Sequence, residues 1–178
     1  MTSPASVVAV AAVIALTGCA WCRVKPPEVP AALRPPAEQS AFLRVRATGV
    51  QIYECTSKPD APGTFTWTFR APEATLADRS GRIVGRHYAG PTWELRDGSS
   101  VVGEVTARDP GPDPAAIPWL LLRAKSTSGT GALSRTQSIL RAHTVGGVAP
   151  GTPCTEAQAH SVARVPYSGD YYFYAGRR

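Results

Sequence analysis

Residues Thr64 to Arg70 read Thr-Phe-Thr-Trp-Thr-Phe-Arg, so that Phe65, Trp67 and Phe69 are each separated by a threonine. A strict period of two puts three aromatic rings on one face of an extended chain and β-branched polar groups on the other, the pattern of a half-buried strand. A helix would scatter the same rings around its circumference. One such strand needs hydrogen-bonding neighbours and a packed face before it is stable, so the segment commits the surrounding chain to a sheet.

The neighbours are legible. Leu43, Val45 and Ala47 alternate with Arg44 and Arg46, and Val50 to Cys55 reads as a strand after Gly49. A meander follows: Ala74–Asp78, a turn at Ser80-Gly81, Ile83–Tyr88, a break at Gly90-Pro91, then Thr92–Arg96. Asp97-Gly98 is a hairpin turn leading to Val101–Arg108. Asp109 to Pro114 forms a loop, and Trp119-Leu120-Leu121-Leu122 within Pro118–Lys125 suits a buried strand. Leu133 to His143 has weak helical spacing and a Ser/Thr content that favours a strand. Residues 155–161 are expected to form a short helix capped by Thr155, and Tyr171 to Tyr174 a final strand. Sixteen Gly and seventeen Pro in 178 residues supply the breaks and exclude long helices. The expected fold is mainly β, a single antiparallel β-barrel or β-sandwich-like domain with little helix. There is no internal repeat.

Ahead of the domain, Val7 to Leu16 is an unbroken apolar run. It falls short of the about 20 residues a membrane-crossing helix needs and has the length of a signal-peptide core. The run ends in Leu16-Thr17-Gly18-Cys19, which resembles the lipobox of bacterial lipoproteins. The resemblance implies removal of residues 1–18, acylation of Cys19 including palmitate, and an anchored protein of the cell envelope, facing the periplasm in a Gram-negative source. An ordinary secreted precursor is the alternative. Met1 to Ser6 carries no Lys or Arg, so either the amino terminus supplies the positive charge or the start lies upstream. Residues 19–40, with Pro26, Pro27, Pro30, Pro35 and Pro36, read as an extended linker able to lift the domain on the order of 60 Å from the anchor. The β-domain is expected over 41–178.

The four cysteines fit export. With Cys19 lipidated, Cys55 and Cys154 are the pair left inside the domain, 99 positions apart. An oxidising compartment permits their bridge, and Cys22 is then odd. A thiolate nucleophile at Cys55 is the sharper alternative. Cys19 and Cys22 make a C-x-x-C spacing, but it follows a signal peptide rather than a strand, which is no redox motif.

Chemistry is less clearly written. The chain holds no phosphate-binding glycine motif, zincin motif or nucleophile elbow. His87, His143 and His160 lack ligand spacing, so neither a metal nor another cofactor is expected. The stretch from His87 to Glu94 concentrates His87, Tyr88, Trp93 and Glu94 around the Gly-Pro bend, which suits a small-ligand or sugar pocket using Tyr88, Trp93 and Asp97. As a hydrolase, the same region would draw its acid and base from His87, Glu94 and Glu54, carboxylates needing a separation of ~5–10 Å. The plainer reading makes Trp93 and Tyr88 core, pairs Glu94 with an arginine and leaves Asp97 to turn chemistry. The net charge of +6 is concentrated after residue 113, where seven Lys/Arg face Glu156 and Asp170. That asymmetry suits an anionic envelope polymer; nucleic acid is a poor match for an exported protein.

Several stretches together resemble an uncharacterised domain-of-unknown-function family, number 3455: Val50 to Cys55, Ala71 to Leu76, His87 to Glu94, Asp97-Gly98-Ser99, Ile117 to Leu122, Thr144 to Gly147 and Asp170 to Tyr174. The resemblance runs from about Val29 to Tyr174. It implies an exported β-rich domain with Cys55 and Cys154 at family cysteine positions, and no assigned activity. The expected function is a non-catalytic β-domain binding a ligand or partner, with a glycan hydrolase and a structural or assembly protein of the envelope as alternatives.

Overall fold

The computed structural model describes residues 24–177. The expected signal peptide, Cys19 and Cys22 lie outside that range. Eight antiparallel strands follow in chain order: β1 (Gln39–Lys58), β2 (Ala61–Ala77), β3 (Ile83–Tyr88), β4 (Thr92–Leu95), β5 (Ser100–Asp109), β6 (Trp119–Ser128), β7 (Ser138–Gly146) and β8 (Val162–Gly176). Each pairs with the next, and β1 returns to pair with β8 from Gln39 opposite Gly176 to Glu54 opposite Val162. Of the two architectures expected, the barrel is the one formed. Closure leaves no edge within the barrel wall.

The length of β1 makes this possible, because its 20 residues serve both β2 and β8. Segments that read as separate strands, 43–47 with 50–55 and 64–70 with 74–78, are continuous. Gly49 lets β1 and β2 approach closely: a Cβ there would lie 2.0 Å from the Glu73 carbonyl oxygen. Above Ala74, β2 pairs with β1 alone. The Thr64–Arg70 alternation is therefore a strand, but in a hairpin arm rising past the barrel wall. Phe65 and Trp67 are partly buried there, and Phe69 is half exposed.

One end of the barrel is packed shut by Val45, Leu76, Leu95, Val101, Ile139 and Phe173. The plug is Leu133, fully buried in a short 3-10 turn over Ala132–Arg135. This corrects the expectation of one strand from Leu133 to His143. The turn is imposed from outside: Ala132 N donates to Asp97 Oδ2 at 2.8 Å and Leu133 N to Ser99 Oγ at 3.1 Å, so β7 begins only at Ser138. The expected short helix is a 3-10 turn over Glu156–Gln158 with a Thr155 capping box.

A second apolar layer covers the outside of β6, β7 and β8. Leu33, in a 3-10 turn at Ala31–Leu33, is fully buried against Trp119, Leu140, Ala142, Tyr172 and Tyr174, with Val24 and Val29 packed beside it. The Pro-rich stretch read as a linker thus lies on the barrel from Val24 onward. Its apolar residues find an outward-facing Tyr and Leu stripe, and burying them outweighs a free extended chain. Cys55 is joined to Cys154, tying the loop before β8 to the hairpin arm. The free-nucleophile alternative for Cys55 is thereby excluded.

Candidate functional site

The inward side chains do not fill the other end. A cavity of about 400 Å³ opens there, within the range of small-molecule sites and with room for on the order of a dozen waters. All eight strands contribute. Trp93, Tyr171, Leu120 and Leu122 line its apolar depth, Gln51, Tyr53 and His87 stand on the wall, and Arg70, Arg108, Arg141 and Phe69 approach from the wall and mouth. Tyr53 Oη donates to the Gly147 carbonyl at 2.6 Å, which fixes the β7–β8 loop over the rim. Arg141 is fixed in turn by donating through Nε and Nη2 to the Pro118 carbonyl at 3.1 and 2.8 Å.

The stretch from His87 to Glu94 is divided between two faces. The β3–β4 hairpin sets His87 opposite Trp93 and Arg86 opposite Glu94. His87 and Trp93 point inward, 2% and 1% exposed. Tyr88 and Glu94 stand on the outer surface, where Tyr88 Oη donates to Glu94 Oε2 at 2.8 Å and Arg86 Nη2 reaches both carboxylate oxygens at 3.0 Å. The Tyr88 hydroxyl and then Arg86 hold the Glu94 carboxyl below its usual range.

His87 Nδ1 lies 2.8 Å from the Thr92 carbonyl oxygen, and since a carbonyl only accepts, Nδ1 carries the proton. Burial drives its pKa down to about 3, with the Arg141 charge adding to the effect and the Thr92 bond opposing it. The imidazole is neutral across the physiological range and a poor proton acceptor.

Glu54 accepts from Arg70 Nε at 2.8 Å and from His160 Nδ1 at 3.0 Å. The His160 bond first, then Arg70, lowers its carboxyl. Asp97 is turn chemistry: its Oδ1 accepts from Ser99 N and Oγ at 2.9 and 2.6 Å, while Oδ2 takes Ala132 N. Desolvation alone would raise that carboxyl, and these donors outweigh it. The candidates for acid and base therefore do not share a site. Only His87 and Trp93, of the residues singled out around the bend, enter the cavity.

Gln51, Arg108 and Arg141 line the cavity without belonging to any catalytic or binding motif in the sequence. The same holds for an outer cluster around Asp170, which is 2% exposed. Arg44 Nη2 donates to Asp170 Oδ2 at 2.9 Å, His143 Nδ1 approaches the same oxygen at 3.0 Å, and Arg46 lies 3.6 Å from Oδ1. His143 has a φ of 50° at a bulge between Ala142 and Val145, which turns its ring outward. Among the described residues, no three His, Cys, Asp or Glu side chains converge as a metal site would require.

Residues 36–175 match the model of a family described as Protein of unknown function (DUF3455). The chain belongs to that family. No curated protein and no solved structure matches it. The family span reaches from just before β1 to the end of β8 and includes every residue that lines the cavity. The barrel and its cavity are thus the family domain itself, not an appendage to it.

Proposed function

We propose that this protein is an exported, lipid-anchored component of the cell envelope whose barrel binds a small ligand without transforming it. The observation that carries the binding reading is the cavity itself: eight-stranded barrels of this kind are wide enough to hold one small molecule, and here one end is sealed while the other stays open. The lipobox at Leu16 to Cys19 supports the anchor, and its membrane partner is the bilayer that takes the acyl chains.

Binding is favoured over hydrolysis because Glu94 and His87 lie on opposite faces of one hairpin and Glu54 is held by Arg70 and His160. The test is a fluorescence titration with 2-naphthoate. We expect saturable binding that is lost in Val105→Trp, where an indole fills the cavity, while Glu94→Gln binds as before and the naphthoate is recovered unchanged. Undiminished binding in a folded Val105→Trp protein would remove the cavity from the account.

A further inference from the structure

We propose that the cavity selects an anion with an apolar body, a carboxylate carried on a compact hydrocarbon or aromatic frame. The proposal rests on the cavity being a ligand site and adds the chemistry of what enters it. The apolar half follows from the lining, in which Phe69 is half exposed and Pro91, Val105 and Pro118 are partly exposed in front of the buried Trp93, Tyr171 and Leu122. Such a surface rewards an apolar group that leaves water.

The charge comes from an imbalance. No Asp or Glu lines the cavity, whereas three arginines do. Arg70 is paired with Glu54. Arg108 and Arg141 have no acidic partner among the described residues, and Arg108 is exposed at the mouth while Arg141 stands partly buried on the wall. The Pro118 carbonyl holds the Arg141 guanidinium by Nε and Nη2 and leaves its other N–H groups unspent. A guanidinium fixed in this way is suited to a carboxylate, which it can meet with two parallel hydrogen bonds.

Hydrogen-bond supply is skewed in the same direction. Gln51 Nε2, Trp93 Nε1 and the Tyr171 hydroxyl are buried groups on residues of the cavity wall, and none has a partner among the described residues. The two nitrogens can only donate and the hydroxyl can do so, and buried donors left unmatched are uncommon in folded proteins. His87 adds another apolar face rather than a charge, since its ring stacks on Trp93. A cation in the cavity would meet two unpaired guanidinium groups and no counter-charge. A neutral ligand would fill the apolar depth but bring the guanidinium groups no counter-charge.

The test compares 2-naphthoate, 2-naphthol and 2-naphthyltrimethylammonium, which share one frame and differ in charge, on the full mature chain. We expect naphthoate to bind at least about ten-fold more tightly than naphthol, as a charge-assisted pair implies, and the ammonium compound not to bind. Arg108→Glu, at an exposed position with no protein partner, should weaken naphthoate by about ten-fold or more and leave naphthol within about two-fold. Arg141→Gln should also weaken naphthoate, and Arg108→Glu keeps the question open to refutation if the former fails to fold. Equal affinity for naphthoate and naphthol would overturn the charge selection and leave the cavity reading standing. Naphthoate affinity unchanged in both folded variants would overturn the assignment of these arginines. Failure of all three compounds to bind the folded protein would overturn the cavity reading together with the proposal.

Discussion

The His87 imidazole and the Trp93 indole stack with centroids 4.4 Å apart and 10° between their planes, across the interior from Tyr171 at 5.1 Å from each. The two residues flank the Gly-Pro bend, which the β3–β4 hairpin makes into a local fold-back. The pair forms a rigid part of the cavity wall, and it gives the protein a particular weakness toward acid.

Unfolded, His87 takes up a proton near its ordinary pKa of 6.5; folded, it resists until about pH 3. The unfolded chain therefore binds more protons throughout that window, so this residue's share of stability falls as pH drops from 6.5 toward 3, by at most about 1.4 kcal/mol per pH unit. Urea melts at several pH values should show a shallower acid slope for His87→Phe than for the parent. Equal slopes would mean that the ring is protonated without cost in the fold.

Trp93 is held from a third side by β5. A Cβ on Gly103 would sit 2.9 Å from Trp93 Cζ3 and 3.1 Å from Leu122 Cδ2. His87, Tyr171 and Phe173 pack around the indole and oppose its displacement. Gly103→Ala should destabilise the barrel by about 1–3 kcal/mol, the usual effect of overpacking. A denaturant melt coinciding with that of the parent would show that the ring has room to move.

Much of the barrel could be read locally, because alternation and turn chemistry act over a few residues. Ile83–Tyr88 is β3 with the bounds its pattern suggests, and Asp97-Gly98 makes the turn between β4 and β5. The turn at Ala132–Arg135 could not be read this way, since its donors are satisfied by Asp97 and Ser99, 35 and 34 positions away. The cavity was hidden for a related reason. On β7 alternation puts Arg141 on the face of Ile139, but Leu140 and Ala142 make the opposite face the more apolar one, so nothing in the pattern shows that the Ile139 and Arg141 face is the inward one. The split of His87 and Glu94 did leave a signal: a hairpin centred on Gly90 pairs His87 with Trp93, and Glu94, one residue on, must face the other way.

The disulfide should be the largest single covalent influence on stability. Cys55–Cys154 closes a loop of 99 positions, worth about 4–5 kcal/mol in the chain-entropy description. It fastens the arm beside the cavity mouth, where Cys55 N and O also bond Ser161 O and His160 N at 2.9 Å each. Replacing both cysteines with alanine should lower the unfolding midpoint strongly while the isolated protein keeps its β spectrum. Non-reducing mass spectrometry finding free thiols at both positions would remove the basis for this expectation.

Attachment to the membrane can be checked separately from the barrel. Labelling with a palmitate analogue in a bacterial host should tag the parent chain and fail in Cys19→Ala, which should move from the membrane to the soluble fraction. Because Val24 and Val29 already pack on the barrel, we expect the β-domain of that variant to melt as the parent does. Persistent labelling of Cys19→Ala would sink the anchor.

Asp170 gives the last test, on the face away from the cavity. Its side chain is 3% exposed, whereas Arg44 and Arg46 are 37% and 46% exposed and remain partly solvated. Arg44 and His143 both meet Oδ2, at 2.9 and 3.0 Å. Loss of the carboxylate strands both partners and releases the bulge at His143, whose positive φ is an uncommon conformation for a residue with a Cβ. Asp170→Ala should therefore cost about 2 kcal/mol or more, below the full penalty for a completely buried pair because the arginines can turn to water. Arg46→Ala, which removes a longer and more exposed contact, should stay within about 1 kcal/mol. Denaturant melts that rank the two variants in the opposite order would show that β1, β7 and β8 are joined on this face by packing rather than by charge.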